Sequence, residues 1–318
     1  MKTENILVRA RNLRKSFGGL QAVKDVSLDI AAGEIYGLVG SDGAGKTSTM
    51  RMLVGALLPT SGEASICGFD IRSQVENARS QLGYLSQRFS LYEDLTVLEN
   101  IRFFAEMRGL QPTEWLPRSM EILEFVGLAK FKDRMAGQLS GGMKQKLGLA
   151  SAMVTRPRVL LLDEPTTGVD PVTRQDFWQL IIQLVANQQA DVSVIISTPY
   201  MDEAARCHRI GFMQKGEIYK EGTPGELRAM LNNSILELRG TPLTQLKEIS
   251  EKTPGVKDVR AFGDRLHLRV DSGLADAVIN VLEQTIPACG AVFTSARPIP
   301  AALEDVFIYL SEIDNVRA

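Results

Sequence analysis

The stretch EIYGLVGSDGAGKTSTMRMLVGALL, residues 34–58, admits few folds. Ile35 to Val39 form a short apolar run, a glycine-rich loop follows, and Met50, Leu53, Val54 and Leu57 then recur at helical spacing. The expected order is strand, loop, helix. Gly40, Gly43 and Gly45 open backbone angles closed to other residues and keep side chains away, so successive N–H groups can point at phosphate oxygens. The helix start adds its partial positive charge. In this pattern Lys46 reaches the β- and γ-phosphates of a nucleotide and Thr47 offers its hydroxyl to Mg2+. The segment therefore predicts an α/β chain with a phosphate-binding loop, its contacts spread over Gly40, Ser41, Asp42, Gly43, Ala44, Gly45, Lys46, Thr47 and Ser48.

A second stretch, RVLLLDEPTTGVD, spans residues 158–170. Val159 to Leu162 are uniformly apolar, as suits a strand in the middle of a parallel sheet. Two acids end it. Asp163 is placed like the acid that holds Mg2+ in nucleotide hydrolases of this type. Glu164 is expected to point to the other side and to polarise an attacking water as general base.

Residues 137–150, GQLSGGMKQKLGLA, predict another helix, with Ser140 as N-cap and Met143, Leu147, Ala150 and Val154 on one face. Two glycines directly after the cap cost a helix up to ~1 kcal/mol each relative to alanine. Bare backbone at a helix start suits a phosphate ligand. The chain thus carries two phosphate-binding helix starts, at Gly45–Lys46 and at Ser140–Gly142, which need not serve the same nucleotide.

LSGGMKQK resembles the signature motif of ATP-binding cassette (ABC) proteins, and with GSDGAGKT and LLLDEP it follows the family's order and approximate spacing over roughly residues 5–230. The resemblance implies a P-loop nucleoside triphosphatase of the ABC type at residues 1–230, with a helical subdomain at about 88–155, that takes ATP and Mg2+. It implies a head-to-tail dimer, in which the signature of one cassette, here Ser140, Gly141, Gly142 and Gln145, closes over the nucleotide held by the other. It also implies that Gln87, in GYLSQRFSLYEDLTVLENI, touches Mg2+ or the attacking water and faces a membrane subunit. Phe17 matches the aromatic that stacks on adenine, and Asp170 the loop that communicates across the dimer. Ser41 and Asp42 stand where Pro and Asn are common, at variable loop positions. The implied catalytic set is Lys46, Gln87 and Glu164, and the implied metal set is Thr47, Gln87 and Asp163.

One position departs from the family's pattern. The segment VIISTPYMDEAARC, residues 194–207, has Pro199 where the family usually has a histidine contacting the γ-phosphate, and both flanks match. Proline has neither a backbone N–H nor a side-chain donor. Hydrolysis at this chain's own loop is expected to be weak, with either a partly degenerate site beside a second cassette or a tolerated substitution.

Composition narrows the partners. Against 38 acidic side chains the chain has 36 basic ones, no excess to neutralise a nucleic-acid backbone. Charge-free stretches are too short to cross a bilayer, and the first residues lack the apolar run of a secretory signal. Cys67, Cys207 and Cys289 are odd in number and widely spaced, so neither a disulfide framework nor zinc is expected. His208 and His267 stand apart from the motifs and are expected to be structural or solvent-facing.

After Gly222-Thr223-Pro224 the pattern changes. ILELRG, LTQLKEISEK, KDVRAF, LHLRV, ADAVINVLEQ and AVFTSA read strand, helix, strand, strand, helix, strand, a small α+β domain of split-βαβ type at residues 231–318. A last helix, PAALEDVFIYLSE, has Leu303, Val306, Phe307 and Leu310 on one face. A tail ending in LEDVF resembles export-type subunits such as the daunorubicin-resistance class. The resemblance implies separate membrane permease subunits and a peripheral place on the cytoplasmic face of the cell membrane. Two alternatives remain: a regulatory cassette that binds ATP with little hydrolysis, and a soluble ABC ATPase that does not transport.

Overall fold

The computed structural model describes residues 5–87, 91–186 and 192–317. They belong to two compact units, Met1–Thr223 and Pro224–Ala318. The division falls before residue 230 because the short helix that starts at Pro224 packs against the last helix of the chain, within the second unit.

In the first unit, β1 (Ile6–Phe17) and β2 (Leu20–Ala31) form an antiparallel hairpin, followed by β3 (Ile35–Val39) and helix α1 (Lys46–Leu53). Then come β4 (Ser61–Ile66), β5 (Phe69–Asp70), α2 (Val75–Ser80) and β6 (Leu82–Leu85). Helices α3 (Val97–Met107), α4 (Pro112–Phe125) and α5 (Gly141–Met153) pack on one another. Residues 88–90, where the helical subdomain was expected to begin, lie outside the described residues. The unit continues through β7 (Val159–Asp163), α6 (Pro171–Ala186), β8 (Ser193–Thr198), α7 (Met201–Ala204), β9 (Arg209–Gln214) and β10 (Glu217–Gly222).

Local chemistry accounts for the element starts. Thr96 and Glu99 close a capping box on α3, the hydroxyl accepting from Glu99 N at 3.2 Å and the carboxylate from Thr96 N at 2.8 Å. Pro112, without an N–H to lose, opens α4.

Among the described residues one mixed sheet runs in the order β5-β4-β1-β2-β10-β9-β3-β8-β7-β6. Its heart, β9-β3-β8-β7-β6, is parallel. Every residue of β3, β7 and β8 is buried, which suits their largely apolar sequences. The core includes Val8, Tyr36, Leu38, Met50, Leu53, Leu161 and Ile195.

The second unit holds α8 (Pro224–Ala229), β11 (Ile235–Thr241), α9 (Leu243–Glu251), β12 (Val256–Phe262), β13 (Arg265–Val270), α10 (Ala275–Ala288), β14 (Val292–Pro298) and α11 (Leu303–Arg317). Its antiparallel sheet, β12-β13-β11-β14, is the strand order of two interlocked βαβ units. Leu236, Leu238, Leu246, Leu268, Val278 and Leu282 form its core. Of the four apolar residues expected on one face of α11, Leu303, Val306 and Leu310 are buried and Phe307 is half-buried. No helix among the described residues is long and apolar enough to cross a membrane.

Candidate active site

Strand order assembles the motifs. Because β8 lies between β3 and β7, the turn at Pro199 follows a strand set between the glycine loop and the two acids. The carbonyl of Thr198 accepts from Gly40 N at 3.4 Å, joining this turn to the start of the loop.

The glycines of the loop are needed for different reasons. Gly43 and Gly45 have φ of 78° and 107°, a region that side chains disfavour. Gly40 is not among the positive-φ residues; a Cβ there would meet Met213 O at 2.2 Å, so close packing on β9 excludes a side chain. Ser41, Asp42 and Gly43 are exposed, Ala44 is buried, and Ser48 is half-buried.

Lys46 is 3% exposed, and its Nζ donates to Gly40 O at 2.8 Å and Ser41 O at 3.0 Å. It also stands 3.1 Å from Glu164 Oε1. The other oxygen of Glu164 accepts from Gln87 Nε2 at 3.1 Å and Thr167 Oγ1 at 3.4 Å. Glu164 was expected to face away from Asp163, as alternation along a strand requires. Instead its φ of 48° breaks the alternation, and both acids reach adjacent residues of the loop, Lys46 and Thr47. A non-glycine residue in this region carries about 1–3 kcal/mol of strain. Two acceptors hold it there: Glu164 N donates to Ser197 Oγ at 2.9 Å and to Ser197 O at 3.2 Å.

Asp163 Oδ1 accepts from Ser197 Oγ at 2.7 Å and Thr47 Oγ1 at 3.2 Å, and Oδ2 from Tyr84 OH at 3.4 Å. Burial pushes its carboxyl above the ordinary value, with the Ser197 hydroxyl opposing. Burial, with Asp163 nearby, pushes the Tyr84 phenol up to about 12. Among the described residues no three His, Cys, Asp or Glu side chains converge as a metal cage. One carboxyl beside one hydroxyl next to a phosphate cradle is instead the donor set Mg2+ accepts, with nucleotide phosphates and water completing its shell. The residues present fit that ion.

The remaining expected positions are distributed as follows. Phe17 is 49% exposed at the end of β1, with Lys15 Nζ 5.0 Å from its ring centroid. Asp170 caps α6, its Oδ1 accepting from Thr173 N at 3.0 Å. Ser140 and Gly141 are exposed, and Ser140 Oγ caps α5 by accepting from Met143 N at 3.3 Å. Gly142 packs on α6, where a Cβ would come within 2.0 Å of Thr173 Cγ2. Gln145, four residues into α5, is buried at 5% exposed. The lone histidines are structural. His208 Nδ1 accepts from Ile35 N at 2.8 Å, and His267 pairs with Asp305 at 3.1 Å and stacks on Phe262.

Sequence reasoning did not single out Ser197 or Tyr84. Ser197 had a signal, being the polar residue that interrupts the apolar run of β8.

Comparison with known proteins follows the same lines. A family model described as ABC transporter matches residues 23–167. The probable multidrug ABC transporter ATP-binding protein YbhF of Escherichia coli (strain K12) is 38% identical over 94% of this chain and 55% of that protein, so the chain spans about half that relative's length. The Nod factor export ATP-binding protein I of Burkholderia lata is 38% identical over 95% of each chain. The daunorubicin/doxorubicin resistance ATP-binding protein DrrA of Streptomyces peucetius is 36% identical over 73% of this chain and 70% of that one. Among solved structures, the ATP-binding cassette MJ0796, in a dimeric post-hydrolysis state bound to ADP and Pi, is 27% identical over 68% of this chain and 98% of that one, with a TM-score of 0.62. With the cradle and the paired acids at the ends of the parallel strands β3 and β7 and the signature motif opening α5, the chain belongs to the ABC transporter family, as an ATP-binding cassette of the P-loop ATPase fold.

Proposed function

We propose that this cassette binds and hydrolyses ATP to drive export through separate membrane permease subunits, from the cytoplasmic face of the membrane, as one half of a cassette dimer with unequal sites. The observation that carries the reading is the convergence of Lys46 Nζ and Gln87 Nε2 on the two oxygens of Glu164, 3.1 Å each, at the mouth of the glycine loop. The names of the relatives, multidrug, drug-resistance and Nod factor export proteins, support export.

In this mechanism the loop N–H groups and Lys46 hold the β- and γ-phosphates, and the exposed face of Phe17 receives the adenine. Mg2+, when bound beside Thr47 and Asp163, neutralises charge on the phosphates. Glu164 Oε2, oriented by Gln87, takes the proton of the attacking water. The exposed tip at Ser140 and Gly141 closes over a nucleotide held by the second cassette.

Pro199 makes the sites unequal. A missing transition-state donor slows a reaction by about 10²–10³-fold. This chain's cradle then mainly holds ATP, while its intact signature completes the partner's site. A second reading, a regulatory cassette with little hydrolysis of its own, is favoured by the same residue. ATPase assays of the purified chain and of Pro199→His decide. Robust turnover of the unmodified chain alone, unchanged in the variant, contradicts unequal sites. Pull-down from membranes identifies the permease and any second cassette, and recovery of neither contradicts the transport role.

A further inference from the structure

Glu203 is fully buried at the start of α7, and no step above uses it. Its two oxygens are taken by different segments: Thr166 Oγ1 donates to Oε1 at 2.5 Å and Thr198 Oγ1 to Oε2 at 2.6 Å. Arg174 of α6 approaches Oε1 with its Nε at 3.5 Å and lays its guanidinium 4.2 Å from the Tyr200 ring centroid. Thr166 lies two residues beyond Glu164, in a turn where Thr167 N reaches Glu164 O at 3.3 Å and Val169 N reaches Thr166 O at 3.2 Å. Thr198 immediately precedes Pro199; its hydroxyl also accepts from Tyr200 N at 3.0 Å, and its carbonyl from Gly40 N at 3.4 Å.

We propose that Glu203 is a positioning residue, whose carboxyl couples the loop carrying Glu164 to the Thr198–Tyr200 turn and so fixes the water-activating acid against the phosphate cradle. A buried carboxyl is unfavourable unless both oxygens are satisfied, and an apolar residue would pack a short helix start at less expense. The polar arrangement instead specifies a geometry. Each threonine hydroxyl has one proton, and giving it to Glu203 directs its lone pairs elsewhere. At Thr198 one lone pair receives the Tyr200 amide, which defines the turn that proline cannot tie by itself. Loss of either hydroxyl therefore loosens both segments.

The assignment rests on reading this site as one that hydrolyses ATP, so its test has a readout independent of turnover. Hydrogen exchange of the full chain is compared for wild type, Thr166→Val, Thr166→Ser and Glu203→Gln. Thr166→Val is expected to raise exchange about tenfold at Thr167 and Val169 and, across the gap, at the Tyr200 amide. Thr166→Ser, which keeps the hydroxyl, restores wild-type exchange at all three. Single-turnover ATP hydrolysis falls with the Val variant while ATP affinity is unchanged. Where Thr166→Val does not fold, Glu203→Gln, of equal size, is read by the same amides. A change confined to residues 164–170, with the Tyr200 amide unaffected, overturns the coupling. Cross-gap loosening without any ATP turnover in wild type upholds the coupling and instead contradicts the hydrolytic reading.

Discussion

Lys46 and Glu164 form a buried ion pair, Nζ to Oε1 at 3.1 Å, inside the phosphate loop that the lysine also anchors through Gly40 O and Ser41 O. In the proposed mechanism the pairing sets two duties of Lys46 against each other, because the cation assigned to a terminal phosphate is also held by the candidate base. Glu164→Gln is therefore expected to strengthen ATP binding and to slow hydrolysis by about 10²–10⁴-fold. Its stability loss stays below the ~3–5 kcal/mol of one-sided removal of a buried pair, since Lys46 keeps two carbonyl acceptors. Calorimetric titration with MgATP and an ATPase assay check both effects.

Asp163 carries a stability burden that the proposed role in holding Mg2+ explains. Its folded pKa lies above the unfolded one, burial being the largest cause, so its contribution favours the fold at acid pH and is lost as pH rises through the raised value. At neutral pH the charged carboxyl weighs against folding. Asparagine keeps the oxygen that accepts from Ser197 and Thr47, both of which donate to Oδ1. Asp163→Asn is expected to hold or raise the nucleotide-free Tm while losing the Mg2+-dependent gain that ATP gives wild type. A chelator should produce the same loss in wild type, as thermal shift assays can show.

The two glycines after Ser140 should respond oppositely to alanine. A Cβ at Gly141 meets nothing within 4 Å, whereas one at Gly142 comes within 2.0 Å of Thr173 Cγ2. Gly141→Ala is expected to fold at least as stably, gaining up to about 1 kcal/mol of helix propensity. Gly142→Ala is expected to lower the Tm, and Thr173→Ala in the same chain to recover most of the loss. Melting curves of wild type, Gly142→Ala, Thr173→Ala and the double variant form a double-mutant cycle.

The second unit has its own acid sensor. Hydrogen bonds from Arg239 and Arg265, then Arg297, pull the buried Glu237 carboxyl down to about 2. With the folded pKa below the unfolded ~4.3, its stabilisation is present above about pH 5 and is lost as pH falls toward 2. Glu237→Gln is expected to lower the Tm at pH 7 and to flatten its fall between those limits. Melting of both proteins across that range measures the difference.

The cradle was legible because its chemistry is local: three glycines, a lysine and a threonine lie within eight residues, between a strand and a helix. The split-βαβ tail was legible because each strand and helix announces its own period. What escaped depends on register between distant segments. Ser197 meets Asp163 only because β8 inserts between β3 and β7, and Tyr84 because β6 lies beside β7. The backbone reversal at Glu164 has no residue signature, since glutamate seldom adopts positive φ. The burial of Gln145 on α5 likewise depends on packing between helices rather than on the motif around it. Gly40 and Gly142 were read for open backbone, while the structure gives each a steric neighbour, Met213 O and Thr173.

The central claim is that the loop after β3, with the acid ending β7, holds ATP and Mg2+. Calorimetric titration of MgATP into wild type, Lys46→Ala and Asp163→Asn, each shown to be folded by circular dichroism, tests it most directly. The account predicts saturable binding to wild type, loss of most affinity in Lys46→Ala, and binding without dependence on Mg2+ in Asp163→Asn. Failure of folded wild-type protein to bind, or equal Mg2+-dependent binding by all three, would contradict it.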